Sequence, residues 1–124
     1  MSWYGSTGFC NYYGYRLPTE LEWQAVADFD GSYAYGCGTI INNIIANYRG
    51  STHPDGTIVV GSFGDYGHAM CDMAGNVWEW TDSIYFDNRV VRGGGWYSTD
   101  CTVSGWTHYS QDSPHSRVGF RACR

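Results

Sequence analysis

Cys101 stands just past a glycine run in GGGWYSTDCTVSGW, residues 93–106, among aromatic and hydroxyl side chains. A thiol set like this raises nucleophilic or redox chemistry, which needs a neighbour that lowers the thiol pKa, most often histidine. His108 follows seven positions later. No third member and no oxyanion arrangement accompanies the pair, so the favoured reading of Cys101 is a packed small apolar residue. His53, His68 and His115 are scattered, with no pair at ligand spacing on a helix. Cys10, Cys37, Cys71 and Cys123 complete an odd set of five without CxxC spacing. That set fits neither a full disulfide framework nor a structural zinc site, and leaves room for one disulfide.

Carboxylates offer a second chemistry. CDMAGNVWEW holds Asp72 and Glu79, separated by a glycine turn. In a strand, Trp78 and Trp80 share one face and Glu79 points to the other. A carboxylate so flanked is partly buried and needs a partner. Calcium is one candidate, because it takes carboxylate and carbonyl oxygens from a loop that folds round it. Arg92 or Arg121 is the other.

The elements that must position these groups are short. TGFCNYYG predicts a short helix ended by Gly14. Thr19 and Glu22 make a capping box, predicting a helix over about 19–28 with Leu21, Trp23, Ala25 and Val26 on its apolar side and Gly31 as its stop. GSYAYGCG and YRGSTHPDGT read as loops, whereas TIVVGSF, NVWEW, NRVVRGGGW and RVGFRAC each predict a strand. Six Trp, eleven Tyr and seventeen Gly predict loops pinned by aromatic packing. The expected class is α+β: a small antiparallel sheet, two helices and long ordered loops in one domain over residues 1–124.

Charge narrows the partners. The chain has no lysine, and its net charge is −5. That argues against nucleic acid and against an anionic membrane surface. No apolar run approaches the roughly 18 residues of a membrane span, so no membrane insertion is expected. The N-terminal MSWYGSTGF lacks the regions of a signal peptide, so the expected location is cytoplasmic or virion-associated.

Four stretches stand in order along the chain: YRLPTELEW, MAGNVWEW, RVVRGGGW and VGFRA. Together they resemble the formylglycine-generating-enzyme, or sulfatase-modifying factor, family. The resemblance implies a C-type lectin-like fold in a minimal version. The family's enzymes bind copper with two cysteines five residues apart, and those positions fall on Ser98 and Val103. Cys101, lying between them, cannot alone supply the two soft ligands that Cu(I) needs. The resemblance therefore implies a protein that is not an enzyme of that kind.

The chain is most similar to the family's variable proteins of diversity-generating retroelements. These are mutated at template adenines, and AAC codons are favoured targets. Substituting both adenines reaches every residue type in Tyr97–Arg117 except Trp106 and Gln111. The implied variable ligand-binding region is 96–117. Its expected contacts are Tyr97, Ser98, Thr99, Asp100, Thr102, Ser104, Trp106, His108, Tyr109, Ser110, Gln111, His115, Ser116 and Arg117; of these Tyr97–Asp100, Trp106, His108–Ser110 and His115–Arg117 are expected on one face, with Tyr97 and Tyr109 exposed and Trp96 in the core. The mixture of rigid aromatics and small polar residues is that of antibody paratopes. The expected function is non-catalytic binding of a protein ligand on a host or other cell surface. The alternative is a formylglycine-generating-type oxidoreductase or a related metal-dependent enzyme. A sugar ligand is disfavoured, because neither EPN nor QPD occurs. The resemblance also implies structural calcium. One site falls on Asp72 and Glu79 by side chain and Gly75 and Val77 by carbonyl. A second falls on Asn47 and Asp55, with the carbonyls of Tyr48 and Thr57.

Overall fold

Helix α1, Trp3–Tyr12, starts where Ser2 caps it: the hydroxyl accepts the Gly5 N–H at 3.2 Å. That cap lies ahead of the predicted stretch and lengthens the helix at its N-terminal end. The computed structural model describes residues 1–51 and 55–124, so His53 lies outside the described residues. Helix α2, Glu20–Ala27, follows the predicted capping box, with the Thr19 hydroxyl accepting Glu22 N–H and the Glu22 carboxylate accepting Thr19 N–H at 2.8 Å. Its inward residues are Trp23 and Ala27, four positions apart, while Leu21 is 72 % exposed. The expected apolar side is thus rotated, because i and i+4 share a face and Leu21 lies off it.

Four strands follow: β1 Trp78–Tyr85, β2 Asn88–Arg92, β3 Trp106–Ser110 and β4 Val118–Phe120. They lie in the order β3-β2-β1-β4. The hairpin β1–β2 and the pair β2–β3 are antiparallel, but β4 runs parallel to β1. The sheet is therefore mixed rather than antiparallel. Residues 111–117 carry the chain from one edge to the other, and it re-enters in the direction of β1.

TIVVGSF does not form a strand, and Val59 and Val60 are 80 % and 73 % exposed. Side chains bind its backbone instead: Asn76 bonds both the N–H and the carbonyl of Ile58, and Asp72 accepts Gly61 N–H at 2.7 Å. Strand β3 carries no β-branched run, and it forms because β2 offers it a partner edge.

The sheet and α1 enclose Trp3, Cys10, Leu17, Trp78, Trp80, Val91 and Val118. Three buried indole N–H groups find acceptors: Trp3 gives to Thr81 O at 2.9 Å, Trp80 to Met1 O at 3.1 Å, and Trp23 to Glu79 Oε2 at 2.6 Å. All five cysteines are free thiols. Among the described residues, no helix is long and apolar enough to cross a membrane.

Candidate functional site

The glycine loop after β2 folds directly onto Cys101. Gly94 sits at φ +73, and a Cβ there would come within 2.5 Å of Cys101 Sγ. Cys101 is 2 % exposed, and burial, with the neighbouring Asp100 and Cys37, pushes its thiol up to about 12. Burial pushes Cys37 up to about 11. A thiol raised in this way is far from the activated range. His108 is engaged elsewhere: its Nδ1 accepts from Asn88 Nδ2 at 2.9 Å. Native Cys101 and Cys37 are therefore expected to resist iodoacetamide at pH 8 and to react once the chain is unfolded. Mass spectrometry checks this, and rapid native alkylation of Cys101 would contradict it.

Ser98 and Val103 both belong to the frame. Ser98 is buried, its hydroxyl accepts Gly95 N–H at 2.9 Å, and its carbonyl accepts Arg49 N–H at 3.1 Å. It ties the loop together, which corrects its expected place on the surface. Val103 is also buried; its N–H donates to Ala34 O at 2.9 Å and its carbonyl accepts from Arg92 Nη1 at 3.1 Å. Neither position carries sulfur.

Strand alternation divides the other expected contact residues. Trp106 and His108 lie on one side of β3 with Tyr85, whose ring is 5.0 and 4.7 Å from theirs. Phe86, at the hairpin turn, extends this exposed aromatic surface. Tyr109 projects from the other side, 6.4 Å from Trp80 and 4.3 Å from His115. The expected single face is thus two faces, because successive strand residues point in opposite directions.

On the Tyr109 side, Tyr97, Tyr109, His115, Ser116, Arg117 and Val118 line a cavity of about 320 Å3. Tyr97 and Tyr109 are half-buried rather than exposed, and their hydroxyls meet at 3.4 Å. Burial, with the bond to Tyr97, pushes the Tyr109 phenol up to about 12. Trp96 is half-buried rather than in the core, and the Arg117 guanidinium lies 4.4 Å above the Tyr97 ring and 5.5 Å from that of Trp96. Thr99, Asp100, Ser104, Ser110 and Ser116 are exposed. Thr102 and Gln111 are half-buried; the Thr102 hydroxyl donates to Asp100, and Gln111 accepts from Arg89.

Asp72, Gly75, Val77 and Glu79 line one cavity of about 390 Å3, together with Arg121. The Arg121 guanidinium takes both Glu79 oxygens at 2.6 Å, and Trp23 takes Oε2 as well. Arg92 pairs with Glu20 instead, at 3.0 Å. The oxygen donors are of the type a hard cation takes, but both Glu79 oxygens are held by Arg121, and Asp72 Oδ2 accepts Gly61 N–H. Among the described residues no three His, Cys, Asp or Glu side chains gather as a metal cluster, so the Gly75 and Val77 carbonyls would have to complete such a shell.

The second set is less well gathered. Asn47, Tyr48 and Asp55 line a cavity of about 250 Å3 with Arg49, Ser51, Trp96 and Tyr97, and Thr57 lies outside it. Asn47 is committed to the chain: its amide donates to Gly56 O at 2.9 Å and its carbonyl accepts Asn76 N–H at 2.8 Å. Asn47 Oδ1 accepts from Ser51 Oγ at 3.4 Å.

A family profile described as sulfatase-modifying factor enzyme 1-like domain matches residues 1–124. The chain belongs to this family. The serine/threonine-protein kinase pkn1 of Chlamydia caviae is 32 % identical over 149 residues, covering 100 % of this chain and 23 % of its own length. The inactive C-alpha-formylglycine-generating enzyme 2 of Bos taurus is 33 % identical over 146 residues, covering 98 % and 48 %. The chain thus spans between about a quarter and about half of these relatives. Among solved structures, Treponema denticola variable protein 1 superposes with a TM-score of 0.76 at 27 % identity, over 89 % of this chain and 48 % of that one. The Major Tropism Determinant M1 variant has the same fold, with a TM-score of 0.68 at 16 % identity over 98 % of this chain and 36 % of its own.

This sulfatase-modifying factor domain therefore has the C-type lectin-like fold that it shares with variable proteins. Three residues escape sequence reasoning. Tyr85 and Phe86 join the Trp106 face, and the aromatic pair at the end of WEWTDSIYF was the available signal. Arg49 joins the Trp96–Tyr97 shoulder, and nothing local in YRGS marks it.

Proposed function

We propose that the chain is a non-catalytic ligand-binding domain whose contact surface lies in the loops and sheet edge after Gly95. The observation that carries this reading is a contrast. Ser98 and Val103, to which the resemblance assigns the family's cysteine positions, are buried and serve the frame, whereas Thr99, Asp100, Ser104, Trp106, Ser110 and Ser116 between and after them face solvent. Such an arrangement lets the surface change while the scaffold stays fixed. The inactive bovine relative and the Treponema variable protein support it. The finer reading is a variable protein of a diversity-generating retroelement, binding a protein on a host or other cell surface.

Two experiments test this. Beside the gene there should be a reverse transcriptase and a near-copy of its 3′ end with adenines where the codons for the exposed residues differ; finding neither removes the retroelement reading. Incubating the protein with copper and a cysteine-containing sulfatase peptide should give no formylglycine. Turnover there would overturn the binding reading in favour of the oxidoreductase.

The Asp72–Glu79 loop is proposed as a structural calcium site, binding the folded state only. Calcium at a hundredfold excess over its Kd then stabilises by about 2.7 kcal/mol. Thermal melts with calcium or EDTA measure this, and the difference should vanish in Asp72→Ala, which leaves no side-chain oxygen. Identical melts in the original protein would sink the proposal.

A further inference from the structure

The chain's arginines are unevenly used. Arg16, Arg89, Arg92 and Arg121 hold Glu22, Asp82, Glu20 and Glu79 respectively. Among the described residues, Arg49, Arg117 and Arg124 form no ion pair. Arg124 lies on Tyr15, bonding its hydroxyl at 3.3 Å. The other two border one feature, the Trp96–Tyr97 shoulder. Arg117 lies over both rings, and Arg49 lines the neighbouring cavity with both. Both arginines are exposed.

The geometry gives this meeting a use. A guanidinium lying over an aromatic face keeps its N–H edges in its own plane, where a carboxylate can take two of them. The ring beneath holds the cation in position and limits the ordering entropy of binding. Tyr97 is shared by the cavity of about 250 Å3 on the Arg49 side and the cavity of about 320 Å3 on the Arg117 side. Ser116 and His115 add polar groups to the second cavity. Asp55 lines the first without pairing with Arg49.

We propose that these two cavities form one seat for an acidic side chain of a partner protein, with Arg117 and Arg49 as its cations and Trp96–Tyr97 as its floor. This rests on the ligand-binding reading and names the chemistry of part of that surface. A nucleic acid or an anionic lipid sheet does not suit the seat. The chain carries net charge −5, so a polyanion is repelled by the rest of the surface, while a single carboxylate meets two local cations against one local carboxylate, Asp55.

The test is a titration of the ¹⁵N-labelled protein with an end-capped triglutamate peptide, following the Nε–H signals of Arg49 and Arg117 and the Trp96 indole. Saturable shifts at all three are expected, with none from trilysine. Arg117→Gln and Arg49→Gln should each weaken binding about tenfold, the loss of one charge-assisted hydrogen bond, without changing the melting temperature. No saturable shift, or an unchanged Trp96 indole shift in the protein carrying both Arg49→Gln and Arg117→Gln, overturns the proposal. Sulfate at matched ionic strength separates a protein carboxylate from any oxyanion, and an equal midpoint for sulfate also overturns it. If the peptide fails while libraries of the exposed positions still yield binders, the acidic seat falls and the ligand-binding reading stands. If those libraries fail to fold, that broader reading falls.

Discussion

Arg121→Ala is expected to destabilise the protein by about 3–5 kcal/mol, the cost of stranding a buried charge after its partner is removed. Glu79 is the charge left behind. Its side chain is 8 % exposed and Arg121 is its charged partner, through Nε and Nη2, both at 2.6 Å. Trp23 Nε1 remains as a neutral donor, which cannot balance the carboxylate. Arg121 also donates to Cys71 O at 3.2 Å, tying the loop before β1 to the chain's end. The melting temperature should fall on the order of 10–20 °C. Glu79→Gln combined with Arg121→Met removes both charges and keeps an acceptor for Trp23, so it should recover most of the loss. Arg121→Ala melting within a degree or two of the original protein would show that Glu79 is not held as described. Such a result in calcium that disappeared in EDTA would instead mean that a cation replaces the guanidinium at this carboxylate.

Gly75→Ala should do comparable damage for a different reason. Gly75 sits at φ +80, and an added Cβ would overlap the Asn47 carbonyl oxygen and lie 2.9 Å from its carbon. Left-handed backbone costs a non-glycine residue about 1–3 kcal/mol, and overpacking adds about 1–3 kcal/mol. The contact welds the Asn42–Tyr48 loop to the start of β1, where Asn47 O accepts Asn76 N–H and Gly75 N–H donates to Gly93 O. Forcing it apart disturbs the glycine loop, the Asp72 loop and the Arg49 cavity together. Gly8→Ala is the contrasting case. Gly8 lies inside α1 with nothing near its missing Cβ, so alanine should stabilise by about 0.5–1 kcal/mol. Chemical denaturation measures both changes. Gly75→Ala within half a kcal/mol of the original would show that the loop can move aside at little cost.

What the sequence reveals and what it hides divide along a physical line. Signals confined to a few residues are legible: the Thr19–Glu22 capping box, the NRVVR strand and the placing of Glu79 opposite Trp78 and Trp80. Pairings between distant residues are not. Nothing in VGF announces that β4 will lie parallel to β1, since that follows from where residues 111–117 cross the sheet. WTHYS lacks the β-branched run of a strand, and β2 supplies its order from outside. Missing that strand hides its alternation, which sends Trp106 and Tyr109 to opposite faces. Arg121 is readable only as one of two partners for Glu79, because the choice over Arg92 depends on Glu20 lying within reach of Arg92. Ser98 looks like a surface hydroxyl until its bond to Gly95 and the packing of Gly94 on Cys101 are seen.

The central claim is a fixed frame carrying a replaceable surface. Its most direct test is a displayed library randomised at Thr99, Asp100, Ser104, Trp106, Ser110 and Ser116, selected on unrelated protein baits and followed by melts of the recovered clones. Surface positions of this kind change stability by about half a kcal/mol each, so most clones should melt within several degrees of the original. Different baits should return different sequences. A library in which most members unfold, or which returns no binder from any bait, would contradict the account.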